Sequence, residues 1–391
     1  MLRRSFGLIA VMGGFGLLFA GCNGRLTGGL PGGGTNGDVV PSFLPDDVSL
    51  DVGELPDPDA TTAKSVRTAS AITGVTAYDR TVRAAGAVLH AFQRTARRTF
   101  ALGAAIKNDF MDAHQTQVSG TFRVATVTVS YRADFAPFDI DGDGTADGSG
   151  KATVEPVAFR MWVDRGNGFE RFLCALVTTR PSSANVGAGQ MFFKPSAAVA
   201  TDFSDLQVRV NWDRTDASHK WNESFVSGQV RSDYAMSAGH QRVDVRTAAD
   251  GSVEKTVRSN TSFTQSPFGF DAYSFSAHTR VGSGAILISG LSTGGTAQVD
   301  FTNVCVSVTD RSLATSGECD AFDTQDMAFI DAPTGSETNF PADFPAQPTF
   351  TPPTNGNDNS ADNNNGADNN NDNSADNSNS NGNDNSDAGG S

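Results

Sequence analysis

The sequence predicts a mainly β fold: one large curved antiparallel sheet, half-barrel or sandwich-like meander, preceded by a long N-terminal amphipathic helix. Three observations predict it. Beyond Gly120 the apolar residues recur with period two, turn signals interrupt the chain at short intervals, and over 80–110 the apolar spacing is instead three and four.

The first 21 residues carry no part of that fold. Arg3 and Arg4 form a positive start, and 6–20 is an apolar run too short to span a bilayer as a stable helix. This is the pattern of an export signal. It closes on FAGC, residues 19–22, which resembles the lipobox of bacterial lipoproteins, with Phe19 where that family prefers Leu. The resemblance implies acylation of Cys22, which then becomes the N-terminus of a membrane-anchored chain. A single acyl chain binds marginally, whereas two or three hold a protein stably at about 0.8 kcal/mol per buried methylene. RRSFG is also similar to the twin-arginine export signature, so both export routes stay open. Asn23 stands where an Asp signals inner-membrane retention in the Gram-negative lipoproteins it resembles, so the resemblance implies a cell-envelope protein anchored in the outer membrane.

Residues 22–60 are dense in glycine and proline and show neither helical nor strand period, as expected of a tether reaching roughly 35 Å. At the other end, 347–391 is expected to form a disordered Asn/Asp-rich tail. It repeats DNSADN at 358 and 372, and from 355 onward it has seven Asp, no Lys and no Arg. So little apolar surface cannot offset the entropy of ordering. The formal net charge of the chain is −15, and the export signal removes two of its positive charges. So acidic a surface argues against nucleic acid as a partner.

Residues 61–118 are expected to be helical. Val82, Ala85, Val88, Leu89, Phe92, Ala96, Phe100, Ile106 and Phe110 share one side of a helical wheel, and Arg80, Arg83, His90, Arg94, Arg97 and Arg98 lie opposite. Such a helix either lies on an anionic membrane surface or packs on a sheet with its charged face in water.

Residues 119–346 are expected to form the β domain, with ten or eleven strands. VAFRMWV (157–163), VRVNW (208–212), RVDVR (242–246) and QVDFTNVCVSV (298–308) alternate, and DRGNG, TDASH, ADG and VGSG separate strands. The helix-then-sheet order resembles the Lol-type carriers and other half-barrel lipoproteins, which implies an interior able to hold acyl chains. The aromatic inventory agrees: 27 Phe against 4 Tyr and 3 Trp suits a buried lining, whereas sugar-binding and protein-binding platforms favour Tyr and Trp.

With Cys22 acylated, three cysteines remain. Cys305 and Cys319 are expected to pair, closing a loop worth about 3 kcal/mol in an oxidising compartment, and Cys174 in RFLCALV reads as a buried free thiol.

The sharpest chemical signal is DIDGDGTADG, residues 139–148. An EF-hand needs a bidentate glutamate at position 12 and flanking helices. Here position 12 is Gly150 and the flanks read as strands. Asp139, Asp141, Asp143, Gly144 and Asp147 instead match D-x-D-x-D-G-x-x-D, which resembles the calcium hairpin loops of integrin-type propeller blades. Alternate aspartates on a tight turn converge hard oxygens, as calcium requires, and the Thr145 carbonyl is the expected backbone ligand. A structural calcium is therefore expected, with a dissociation constant on the order of 10⁻⁴ to 10⁻³ M. The plainer alternative is an acidic surface turn.

Enzyme signatures do not survive inspection. GLSTG at 290–294 fits the nucleophile-elbow pattern around Ser292, yet a strand follows and no histidine occurs after His278. The five histidines show no metal spacing. Paired carboxylates of a hydrolase would meet only in the fold. The expectation is a non-catalytic envelope protein, structural or adhesive, bound to the membrane by its anchor and meeting an envelope polymer. A carrier or binder of apolar ligands in a half-barrel cavity is the first alternative, and a hydrolase with no recognisable motif is the second.

Overall fold

A computed structural model of the chain describes residues 116–349, apart from 125–126, 152–153, 181–186, 199–204, 232–233, 267, 308–313, 315, 321 and 323–326. The export signal, Cys22, the tether, the tail beyond 349 and the predicted helix over 80–110 lie outside the described residues. Residues 117 and 118, expected at the end of the helical segment, belong to the first strand.

Twelve strands form a single antiparallel sheet in strict chain order. They are β1 (Gln117–Val124), β2 (Val127–Asp134), β3 (Val157–Asp164), β4 (Phe169–Thr179), β5 (Ala188–Phe193) and β6 (Gln207–Asp213). The series continues with β7 (His219–Arg231), β8 (Tyr234–Thr247), β9 (Val253–Gln265), β10 (Ala272–Arg280), β11 (Ala285–Thr293) and β12 (Asp300–Ser307). This is one or two strands more than the alternating segments suggest. The sheet is open, because β1 and β12 each pair with one neighbour. A short helical turn, α1 (Pro195–Ala198), packs near β3 and β4.

Alternation assigns each strand two faces. The front face bears Val129, Tyr131, Phe159, Met161, Leu173, Met191, Val208, Val210, Trp212 and Val226 in one apolar cluster. A second front-face cluster holds Val243, Val257, Tyr273, Phe275, Ile286, Ile288 and Val306. Phe263 and Phe268 pack against both. Gly189 shows how tight this packing is: a Cβ there would lie 2.7 Å from the Trp212 ring.

The back face changes character along the sheet. Over β3–β5 it is apolar, with Ala158, Trp162, Cys174, Leu176 and Phe192. Over β6–β9 it is charged, and over β11–β12 it is apolar again through Ala285, Leu287 and Cys305. An irregular C-terminal strap crosses it from β12 to β3. Cys319 is bonded to Cys305, with Cα atoms 5.9 Å apart, as expected from sequence. The Met327 carbonyl accepts from Ser276 Oγ on β10 (2.7 Å) and the Ile330 carbonyl from Asn260 on β9 (3.0 Å). The Thr338 hydroxyl pairs with Ser227 on β7 (2.6 Å), and Phe340 meets Phe192 on β5 at 6.4 Å between ring centroids. Phe344, fully buried, stands edge-on to Trp162 of β3 at 5.1 Å, and the Trp162 indole N–H donates to the Pro345 carbonyl (2.8 Å).

The strap has no ladder of its own, so side chains hold it. Phe344→Ala is expected to cost about 3–5 kcal/mol, as for other buried aromatic truncations, and to shift Trp162 fluorescence to the red. Phe329→Ala, on the same strap but 37% exposed, is expected to change stability by less than about 0.5 kcal/mol. Urea unfolding of both variants checks the contrast.

Candidate metal centre

The aspartate loop leaves the sheet after β2 and lies on the back face. Phe138 and Ile140 are buried in the back-face cluster of β3–β5, so the apolar residues pin the loop while the acids between and after them face outward. Backbone hydrogen bonds close it: Phe138 N–H donates to the Asp147 carbonyl (3.2 Å), and Asp147 N–H donates to the Phe138 carbonyl (2.9 Å). Gly142 and Gly144 turn the chain at φ +85° and +87°, where side chains other than glycine are strained. In sequence the flank KATVEPVAF reads as a strand from 151, but β3 begins only at Val157. The loop connection is therefore longer than a hairpin turn.

The carboxylates are pointed by backbone donors. Asp139 Oδ1 accepts from Gly142 N–H (2.7 Å) and Asp143 N–H (3.1 Å), and its Oδ2 accepts from Gly144 N–H (2.8 Å). A carboxylate offers about four acceptor sites, so Asp139 keeps a free one. Asp147 Oδ2 accepts from Ile140 N–H (3.1 Å) and Asp141 Oδ1 from Asp143 N–H (3.1 Å). Oxygens of Asp139, Asp141 and Asp147 lie within 4.8 Å of one another. Asp143, the fourth expected ligand, is not in that group; its Oδ1 closes a turn onto Thr145 N–H (2.7 Å). Three exposed or half-buried hard oxygens fit a hard divalent cation such as calcium and do not suit zinc, which favours nitrogen and sulfur.

A fifth aspartate, from the strap, reaches the loop. Asp343 Oδ2 accepts from Asp139 N–H at 2.6 Å, across a separation of 204 residues. No spacing pattern in the sequence points to Asp343, because strap and loop meet only when both lie on the same back face.

A second polar cluster occupies the back face of β6–β9. Asp244, whose side chain is 2% exposed, pairs with His219 (2.9 Å), Arg242 (3.1 Å) and Arg258 (3.0 Å). Burial alone would raise its carboxyl. Hydrogen bonds from Arg242, His219 and Arg258 outweigh burial and hold it below the ordinary carboxylate range. Glu223 pairs with His240 Nε2 (2.8 Å). There too burial is outweighed, by His240, Asn211 and Arg242, and the carboxyl is lowered. Glycosidase work needs one carboxyl raised to act as the acid, and in this cluster both are lowered. Ser292 lies in β11 with its hydroxyl accepting from Val299 N–H (2.7 Å), so the GLSTG match is part of a strand. Cys174 is free and buried, and burial pushes its thiol well up.

Because Asp244 and Glu223 titrate lower folded than unfolded, their contribution is present above pH 4 and is lost as pH falls through the folded values. Urea midpoints measured downward from about pH 5 should fall, and Asp244→Asn should flatten that fall while lowering stability at pH 7 by about 3–5 kcal/mol. Compared with protein-family models, curated proteins and solved structures, the chain finds no match in any of the three.

Proposed function

We propose that this chain is a lipid-anchored cell-envelope protein in which calcium at the aspartate loop fastens the C-terminal strap to the β domain, serving a structural or adhesive role without catalysis. The observation that carries this reading is the convergence of Asp139, Asp141 and Asp147, with Asp343 of the strap on the backbone of the same loop. Calcium takes six or more oxygens. Asp143, the Thr145 carbonyl and water would complete the set, and a cation would relieve the repulsion among carboxylates so close together. The anchor at Cys22 rests on the lipobox-like FAGC, and the outer-membrane address on Asn23 after it.

A carrier of apolar ligands is the second reading, favoured by a specific observation: the front face is apolar across both clusters, joined through Phe263 and Phe268. A sheet curled into a half-barrel around that face, with the amphipathic helix over its mouth, would supply an acyl-chain interior.

With a dissociation constant on the order of 10⁻⁴ to 10⁻³ M, 10 mM calcium stabilises by about 1.4–2.7 kcal/mol, or roughly 3–10 °C in melting temperature. Magnesium should do less, and Asp141→Ala should abolish the shift. A native mass spectrum of the full chain, released from detergent with calcium present, is expected to show one bound calcium. Absence of both the shift and the ion would overturn the metal centre, and a retained lipid-sized adduct would promote the carrier reading. Cys22→Ser is expected to move the chain from the membrane fraction to the soluble fraction; continued membrane association would count against the anchor.

A further inference from the structure

A cleft of about 500 Å³ opens on the back face where the strap passes β4–β6. Phe169, Glu170 and Arg171 of β4 form one wall, with Lys194 after β5 and Gln207 at the start of β6. The strap closes the other side with Asn339, Phe340, Ala346 and Gln347. Its volume falls within the range of about 300–1,000 Å³ usual for small-molecule sites.

The lining has a definite chemistry. Two cations face one acid. Lys194 pairs loosely with Glu170 at 3.6 Å, which leaves the Arg171 charge in excess on a chain whose net charge is −15. Arg171 Nε is buried with no hydrogen-bond partner, and its guanidinium lies 5.7 Å from the Phe344 ring, held from behind by the strap. An arginine fixed this way presents a planar fork suited to a carboxylate. Gln207, Asn339 and Gln347 add side-chain amides, donors and acceptors together, the complement of neighbouring hydroxyls. The Gln347 amide already donates one hydrogen to the Phe169 carbonyl, which fixes it in the lining and leaves its oxygen and second hydrogen. The half-buried Phe169 and Phe340 rings give an apolar wall for the C–H face of a sugar.

We infer that this cleft binds a carboxylate-bearing saccharide, its carboxylate on Arg171 and Lys194 and its hydroxyls on the three amides. The excess of phenylalanine over tyrosine and tryptophan argues against sugar platforms for the chain as a whole. In this cleft, though, the amides and cations select the ligand and the rings supply only a wall. The inference extends the envelope-protein reading by naming a polymer chemistry, and it does not depend on calcium at the aspartate loop.

The test is calorimetric titration of the full-length chain in detergent, with calcium and again with chelator, so that metal binding and sugar binding are read separately. The probes are trigalacturonate, glucuronate, neutral maltotriose and inorganic phosphate. Trigalacturonate is expected to bind at least about tenfold more tightly than maltotriose. Arg171→Gln and Lys194→Gln are each expected to weaken it about tenfold, the equivalent of 1.4 kcal/mol, while leaving the maltotriose affinity unchanged. Glucuronate matching the trimer would identify a free acidic sugar as ligand, and a tighter trimer would identify a polymer. Equal affinity for acidic and neutral trimers, phosphate binding more tightly than either uronate, or indifference to both substitutions would overturn the inference. Should Arg171→Gln fail to fold, Lys194→Gln and the exposed Asn339→Ala decide it.

Discussion

The constraint on which the rest of the structure depends is that β3, β4 and β5 are apolar on both faces. A strand in an antiparallel sheet commonly keeps one face in water. In β3 only Arg160 and Asp164 escape full burial, and Trp162, Cys174 and Phe192 point away from the front-face core. Leaving those side chains wet would forfeit about 1.5–3 kcal/mol for each large one, so something must cover them. The aspartate loop covers part of this patch with Phe138 and Ile140, and the strap covers the rest with Phe340 and Phe344. Loop and strap are therefore neighbours because they share one hydrophobic obligation.

From that neighbourhood follow both sites. Asp343 meets the Asp139 backbone because Phe344, the next residue, is locked against Trp162. The cleft exists because the strap passes over β4–β6 without filling the space beside Arg171 and Lys194. Along the middle of the back face, the strap instead offers its Met327, Ile330 and Asp331 carbonyls as acceptors to Ser276 of β10, Asn260 of β9 and His240 of β8. Apolar anchors at both ends and polar stitches between let a segment without secondary structure lie across seven strands or more. At the far end the Cys305–Cys319 bond sets where the crossing begins.

Much of this was legible in the chain itself. The period-two runs located β3, β6 and β12 to about two residues, since alternation is a local property that one sheet face enforces, whereas RVDVR marked only the last part of β8, Tyr234–Thr247. The disulfide pair and the buried Cys174 thiol were legible from spacing and from the apolar run around residue 174. The aspartate loop was legible as a turn with converging acids, because alternate aspartates around Gly144 mark a tight turn, and Gly142 and Gly144 both take positive φ in the structure. Its details were less so: Asp143 closes a turn onto Thr145 and leaves Asp139, Asp141 and Asp147 to converge.

The sequence by itself thus determined the antiparallel β class, the strand periods, the cysteine pair and the acidic loop, all of which follow from spacing along the chain. Only the tertiary structure decided that twelve strands form one open sheet in chain order, that residues 327–347 strap its back, and that Asp343 joins a loop 204 residues earlier. It also decided that Arg171 and Lys194 share a cleft with Asn339 and Gln347. The physical reason is the same in each case. A polar, proline-rich segment has no period of its own, and its place is set by the apolar surface another part of the chain leaves to be covered.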